Sequence, residues 1–176
     1  MSREAVEPEP SGTTAVGRAQ QDLLRQVHDH LRHELGQIRE AVAQVAAGEA
    51  DPAAAREMIN RLTLRTNYWT LGSFCAAYCR VVAIHHTIED QAMFPGLRDR
   101  DPSLGPVIDR LGEEHERIAE VLTALDGALV AMVGGRQGTP AVQGQTDRLA
   151  ELLLAHLAYE EEQLLPVIGR LTERVV

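Results

Sequence analysis

Aromatic residues are scarce in this chain of 176 residues: two Phe, one Trp and three Tyr make up 3% of it. With so few of them, and with no long alternation of Val or Ile with polar residues, a sheet-based architecture is excluded. Cysteine is as rare, and Cys75 and Cys79 stand four apart on one predicted helix face, where the geometry is poor for a disulfide. Both read as small packing residues of a reduced compartment. Concentrated positive charge is missing too. The net charge is −9, the pI about 5.2, and the basic residues are arginines scattered among acids, which excludes a phosphate-neutralising stripe and hence nucleic acid as a partner. No run approaches the roughly 20 apolar residues of a membrane helix. The opening "MSREAVEPEPSGTTAVG" lacks the charged-then-apolar order of a secretion signal, so a cytoplasmic address is expected.

What remains is aliphatic and helical. Hydrophobic residues form 44% of the chain and recur at three- and four-residue spacing almost throughout. Residues 1 to about 17 are rich in Pro, Glu, Gly, Ser and Thr and are expected to be a mobile tail, with the ordered domain spanning 18–176. A first helix runs to about Ala47, stopped by Gly48, and buries Leu24, Leu31, Leu35, Ile38, Val42 and Val45. Asp51-Pro52 predicts the cap and first turn of a short extra helix reaching Leu64. The following stretch, almost wholly apolar, predicts a buried second long helix that stops at Pro95. From about Pro106 a third helix shows a bundle seam, Ile108, Leu111, His115, Ile118, Leu122 and Leu125, in which one position is a histidine. Thr139-Pro140 predicts the cap and first turn of a fourth helix, which should end near Leu165, before Pro166, with a short tail helix after it. Four such helices with short connections predict an all-α, up-down-up-down bundle.

Two segments break the apolar pattern in the same way. "HHTIEDQAMFP" at 85–95 and "HLAYEEEQLLP" at 156–166 each set a histidine four residues before a glutamate and ten before a proline. On a helix, His85 with Glu89 and His156 with Glu160 can each direct an imidazole and a carboxylate to one point. The repeat extends backward, since "HDHLRHELGQI" from His28 aligns with "HERIAEVLTAL" from His115. Each half of the chain is thus a lone core histidine followed by a His-x-x-x-Glu helix. Folded about a pseudo-twofold axis, the halves bring His28, His85, Glu89, His115, His156 and Glu160 to the bundle centre, with a symmetry that suits two metals. Unpaired carboxylates on apolar faces would otherwise be very costly. His86, about 100° around the helix from His85, is read as a further ligand or as a group orienting one; Glu114 and Glu161, each adjacent to an assigned position, are lesser candidates for the same roles and supply charge at the rim. His30 and His33 share a polar face with Gln26, Asp29, Gln37 and Glu40 and are expected to be solvated.

Through these residues the sequence resembles the hemerythrin-like family of histidine-histidine-glutamate cation-binding domains, over about residues 20 to 170. The resemblance implies a four-helix bundle around two non-haem Fe ions joined by an oxo or hydroxo bridge, with Zn or Mn as substitutes. It implies O2, H2O2 or NO as small-molecule partners, under oxidative or nitrosative stress, or else an iron or redox sensor or an iron-donating repair protein without turnover of its own. Whether such a protein is an enzyme is left open. Oxygen-carrying members place two histidines four apart on the third helix, whereas Leu111 and Ala119 flank His115 here; their last carboxylate is an aspartate five residues after the fourth-helix histidine, whereas Glu160 follows His156 by four. The pattern is closer to the bacterial branch with four histidines and two glutamates. Four histidines over two irons would leave both irons with an open position, unless His86 fills one gap. A ferritin-like Glu-x-x-His spacing is absent, and "HELGQ" lacks the second histidine of a zinc protease.

Overall fold

The computed structural model describes residues 12–48, 73–133 and 135–175. Among them there is no strand. Helix α1 covers Ala15–Ala46, α2 Ser73–Ile88, α3 Phe94–Arg100, α4 Gly105–Val133 and α5 Thr139–Ile168. A π turn, Glu89–Met93, joins α2 to α3, and a 3-10 turn, Pro102–Leu104, leads into α4. The four long helices form the expected all-α bundle, in which α5 packs against α1 and α4, and α2 against α4. The α1–α5 pair is antiparallel: Thr14 meets Gly169, His28 meets Glu161 and Arg39 meets Asp147.

Several boundaries differ from the sequence expectation. Helix α1 starts at Ala15, inside the expected tail, because Thr14 accepts a hydrogen bond from the Gly17 N–H at 2.8 Å and its own N–H donates to Gly169 O at 2.8 Å. Gly17 is obligatory there, since a Cβ would fall 2.2 Å from Gly169 O. At the other end Gly48 takes φ +72°, the left-handed turn that stops α1 as expected. Thr139 is not a cap: Gly138 holds the extended cap position and Thr139 is the first residue of α5. Residues 1–11 of the expected tail, and the predicted helix 51–64, fall outside the described residues.

The two prolines read as stops are not stops. Pro95 lacks an N–H and its ring crowds the carbonyl one turn back. The chain relieves this by widening just before it, with the Phe94 N–H donating to Glu89 O, five residues back, and then continues as α3. Pro166 lies inside α5, which ends two residues later where the Gly169 N–H donates to Leu165 O at 2.9 Å. Beyond Gly169 the described residues turn and form no tail helix.

The core is split in two. One apolar cluster gathers Leu31, Leu35, Ile38, Val82, Ile118, Leu153 and Leu157, and the other Leu24, Met93, Phe94, Leu111, Leu164 and Ile168. Every long helix meets the boundary between them at a polar position: α1 at His28, α2 at His86 with Glu89 opening the π turn that follows, α4 at His115 and α5 at His156 and Glu160. All six are buried. The bundle therefore carries a polar layer between two apolar blocks, at the height the repeated motifs predict.

Candidate metal centre

Within this layer the donor atoms fall into two groups, His86, Glu89, His115 and His156 in one and His28, His85, Glu89 and Glu160 in the other. In each group the candidate ligand atoms lie within 4.8 Å of one another, and Glu89 belongs to both. Its Oε1 is 3.1 Å from His85 Nε2 and its Oε2 is 3.5 Å from His115 Nε2, so the carboxylate spans the groups. Glu160 belongs to the second group and reaches toward the first with one oxygen, Oε2 lying 3.3 Å from His28 Nε2 and 3.8 Å from His156 Nε2. All six residues expected at the bundle centre are brought together, and His86 joins them. Successive helical residues diverge by about 100°, so His85 and His86 reach different groups while Glu89, four after one and three after the other, lies between.

Three of the imidazoles are held from behind. His28 Nδ1 donates to Glu161 at 2.7 Å, His115 Nδ1 to Asp90 at 2.9 Å and His156 Nδ1 to Glu114 at 3.0 Å. Two of those carboxylates are held in turn: Glu161 by Arg32 at 2.7 Å, and Glu114 by Arg110 at 2.8 Å, whose guanidinium lies 3.6 Å above the Tyr159 ring. Glu114 and Glu161, expected as further ligands or as groups orienting one, thus fix the tautomer and tilt of two histidines from behind. Asp90 was not singled out by the sequence reading, although the repeat pairs it with Glu161. His30 and His33 are exposed as expected, His30 beside Glu34 at 3.4 Å and His33 beside Gln37 at 2.9 Å.

The layer is poorly satisfied by its own atoms. Nε2 of His28, His85 and His86 and both oxygens of Glu89 and Glu160 are buried without a hydrogen-bond partner. His115 Nε2 and His156 Nε2 face each other at 3.1 Å while both Nδ1 atoms donate elsewhere, which sets two lone pairs against one another. Buried polar atoms are normally paired, and a cation in each group would satisfy them all. The residues therefore fit a metal.

The electrostatics agree. Burial pushes the His85 imidazole down to about 4, with His28 beside it adding to the effect, and the His115 imidazole down to about 3, with His156 adding to it. Burial also lowers His86 and His156. Glu89 is raised well above the carboxylate range by burial and then by the neighbouring Glu160. Burial opposes ionisation of Glu114, but hydrogen bonds from Arg110 and His156 outweigh it and hold the group low. Neutral imidazoles beside carboxylates are the ligand state for a divalent cation.

The model of the hemerythrin HHE cation binding domain matches residues 20–168. The chain belongs to the hemerythrin HHE cation-binding family. Searches of the curated proteins and of the solved structures find no match. For this HHE domain, cation binding is thus supported both by the family and by its two buried donor groups. No helix among the described residues is long and apolar enough to cross a membrane.

The depressed histidines make a prediction for the metal-free HHE domain. Their folded pKa lies below the unfolded value of about 6.5, so the unfolded chain binds protons that the folded chain refuses. Stability is then fully present above about pH 6.5 and is lost as pH falls toward the folded values near 4 and 3. Thermal melts of metal-free protein taken from about one pH unit above the unfolded value down toward the folded ones should show a falling midpoint. A flat profile would mean that these imidazoles are not buried neutral.

Proposed function

We propose that the protein is a non-haem di-iron protein that binds or reacts with O2, peroxide or NO at a carboxylate-bridged centre. The observation that carries the reading is the pair of buried donor groups sharing Glu89. His86, His115 and His156 would hold one ion and His28 and His85 the other, with Glu89 and Glu160 between them. A reduced iron pair bound there supplies two electrons and a coordination position for a small ligand.

The chain's own residues make the two positions unequal. With His86 included, one group offers three imidazoles and the other two, so His86 would fill one gap and leave the two-histidine side the more open. Glu161, Asp90 and Glu114 keep three Nδ1 atoms protonated and so leave the Nε2 lone pairs facing the donor groups, where they would hold the ions. Leu24, Val27, Ile88 and Met93 line a cavity that reaches His85 and Glu89, which supports access for uncharged small molecules on the two-histidine side and discourages water.

Metal analysis and an optical spectrum of protein purified anaerobically and then exposed to air test this. Two irons per chain and near-ultraviolet charge-transfer absorption after oxidation are expected. Protein from iron-replete cells that reproducibly holds a single zinc would overturn the reading. Iron released on oxidation, instead of retained, would favour the iron-donating alternative.

A further inference from the structure

The cavity beside His85 is much larger than a diatomic ligand requires. Its volume is about 390 Å³, whereas one water takes about 30 Å³ of liquid and pockets for organic ligands run from about 300 to 1,000 Å³. Its wall is aliphatic, with Leu24, Val27, Met93 and Ile168 inside and Leu23 and Ile88 toward solvent. Leu23 is 58% exposed and Ile88 49%, with Ile84 at 52% on the same helix, which carries the apolar surface beyond the wall.

Charge occurs among the lining residues at two points only, Glu89 and Arg174. Glu89 is buried in the polar layer. Arg174 is exposed and has no ion pair among the described residues, in a chain of net charge −9. Its backbone is tethered on both sides by one residue of α1, since the Val175 N–H donates to Gln20 Oε1 at 3.0 Å and Gln20 Nε2 donates to Glu173 O at 3.4 Å. Gln20 thus keeps a lone cation beside an aliphatic chamber whose inner wall includes two candidate metal ligands, one of which, Glu89, has both oxygens buried without a hydrogen-bond partner.

We propose that this cavity binds an amphipathic carboxylate, a medium-chain aliphatic acid, with its carboxylate on Arg174 and its chain among Leu23, Val27, Ile88 and Met93. The ligand then lies against the two-histidine side of the centre. This goes beyond the di-iron reading and does not depend on which metal is bound, because Arg174 and the aliphatic wall make the contacts.

Calorimetric titration of the full-length protein with decanoate, kept below its micelle threshold, tests the proposal. Saturable one-to-one binding is expected with metal-loaded and metal-free protein alike. Arg174→Glu should weaken decanoate binding at least tenfold while leaving decanol binding unchanged, as loss of a charge-assisted contact requires. Val27→Phe, which narrows the chamber, should weaken both ligands, with an unchanged melting temperature confirming that the variant folds. Absence of decanoate binding, or equal affinity in Arg174→Glu, would overturn the proposal. So would a concentration-dependent dimer in sedimentation that Leu23→Glu dissolves, since the aliphatic face would then be covered by a second copy of the chain. A chain without iron that still binds decanoate separates this proposal from the fate of the di-iron reading.

Discussion

Chelating the metal from the purified protein is expected to lower its melting temperature by on the order of 10 °C. A ligand present at about 1,000 times its dissociation constant adds about 4 kcal/mol to the folded state, and for a domain of this size 1 kcal/mol moves the midpoint by roughly 2–4 °C. The physical cause is the polar layer. Without a cation, Glu89 and Glu160 carry four buried oxygens with no donor, and the Nε2 lone pairs of His115 and His156 face each other at 3.1 Å. The bundle can relieve part of this by protonating Glu89, whose pKa burial and Glu160 already raise, but one proton cannot serve two carboxylates and five imidazoles. Scanning calorimetry before and after chelation, with metal content measured on both samples, checks the expectation. An unchanged midpoint after verified removal would mean that the layer satisfies itself by rearrangement.

Much of this centre was legible in the sequence because it obeys the period of the helix. His85 and Glu89, and His156 and Glu160, stand four apart, and the repeat of that motif places them at a common height in the bundle. His28 and His115 followed from the same repeat. What escaped was less periodic. Asp90 is exposed and reads as an ordinary surface acid beside Glu89, and only its alignment with Glu161 marks it; the structure shows why, since each carboxylate braces the lone histidine of the other half. The π turn was illegible because Pro95 is normally read as a stop. A helix that widens by one residue to pass a proline leaves no mark in hydrophobic spacing. The predicted helix 51–64 and the first eleven residues lie outside the described residues.

The repeat also shows where the halves diverge. His86 aligns with Leu157, which belongs to the apolar core, and Glu114 aligns with Val27, which lines the cavity. One group thereby gains a third imidazole and a carboxylate brace on His156, while on the other side His85 meets an aliphatic wall where its counterpart meets Glu114. Two differences in an otherwise doubled pattern thus give one group three imidazoles and set the other, with two, beside the cavity. That inequality, more than the ligand count, is what a small molecule approaching from the cavity would meet.

Replacing Glu89 by Ala is expected to remove metal from both groups, because among the described residues it alone directs a separate carboxylate oxygen to each. The loss should exceed the 10- to 100-fold typical for removing a residue that merely orients a ligand, so that protein purified without added metal carries almost none. His85→Ala and His86→Ala are the selective counterparts. Each takes one imidazole from one group, so each should weaken one ion and leave the other, and the two variants should differ in which spectral component survives. His33→Ala, on the exposed face beside Gln37, should retain the full load. Metal content by elemental analysis, read with the oxidised spectrum, separates these outcomes. Glu89→Ala protein that keeps both ions would show that Glu160 alone can bridge the pair, and the sharing of Glu89 would lose its standing as the organising contact of the centre.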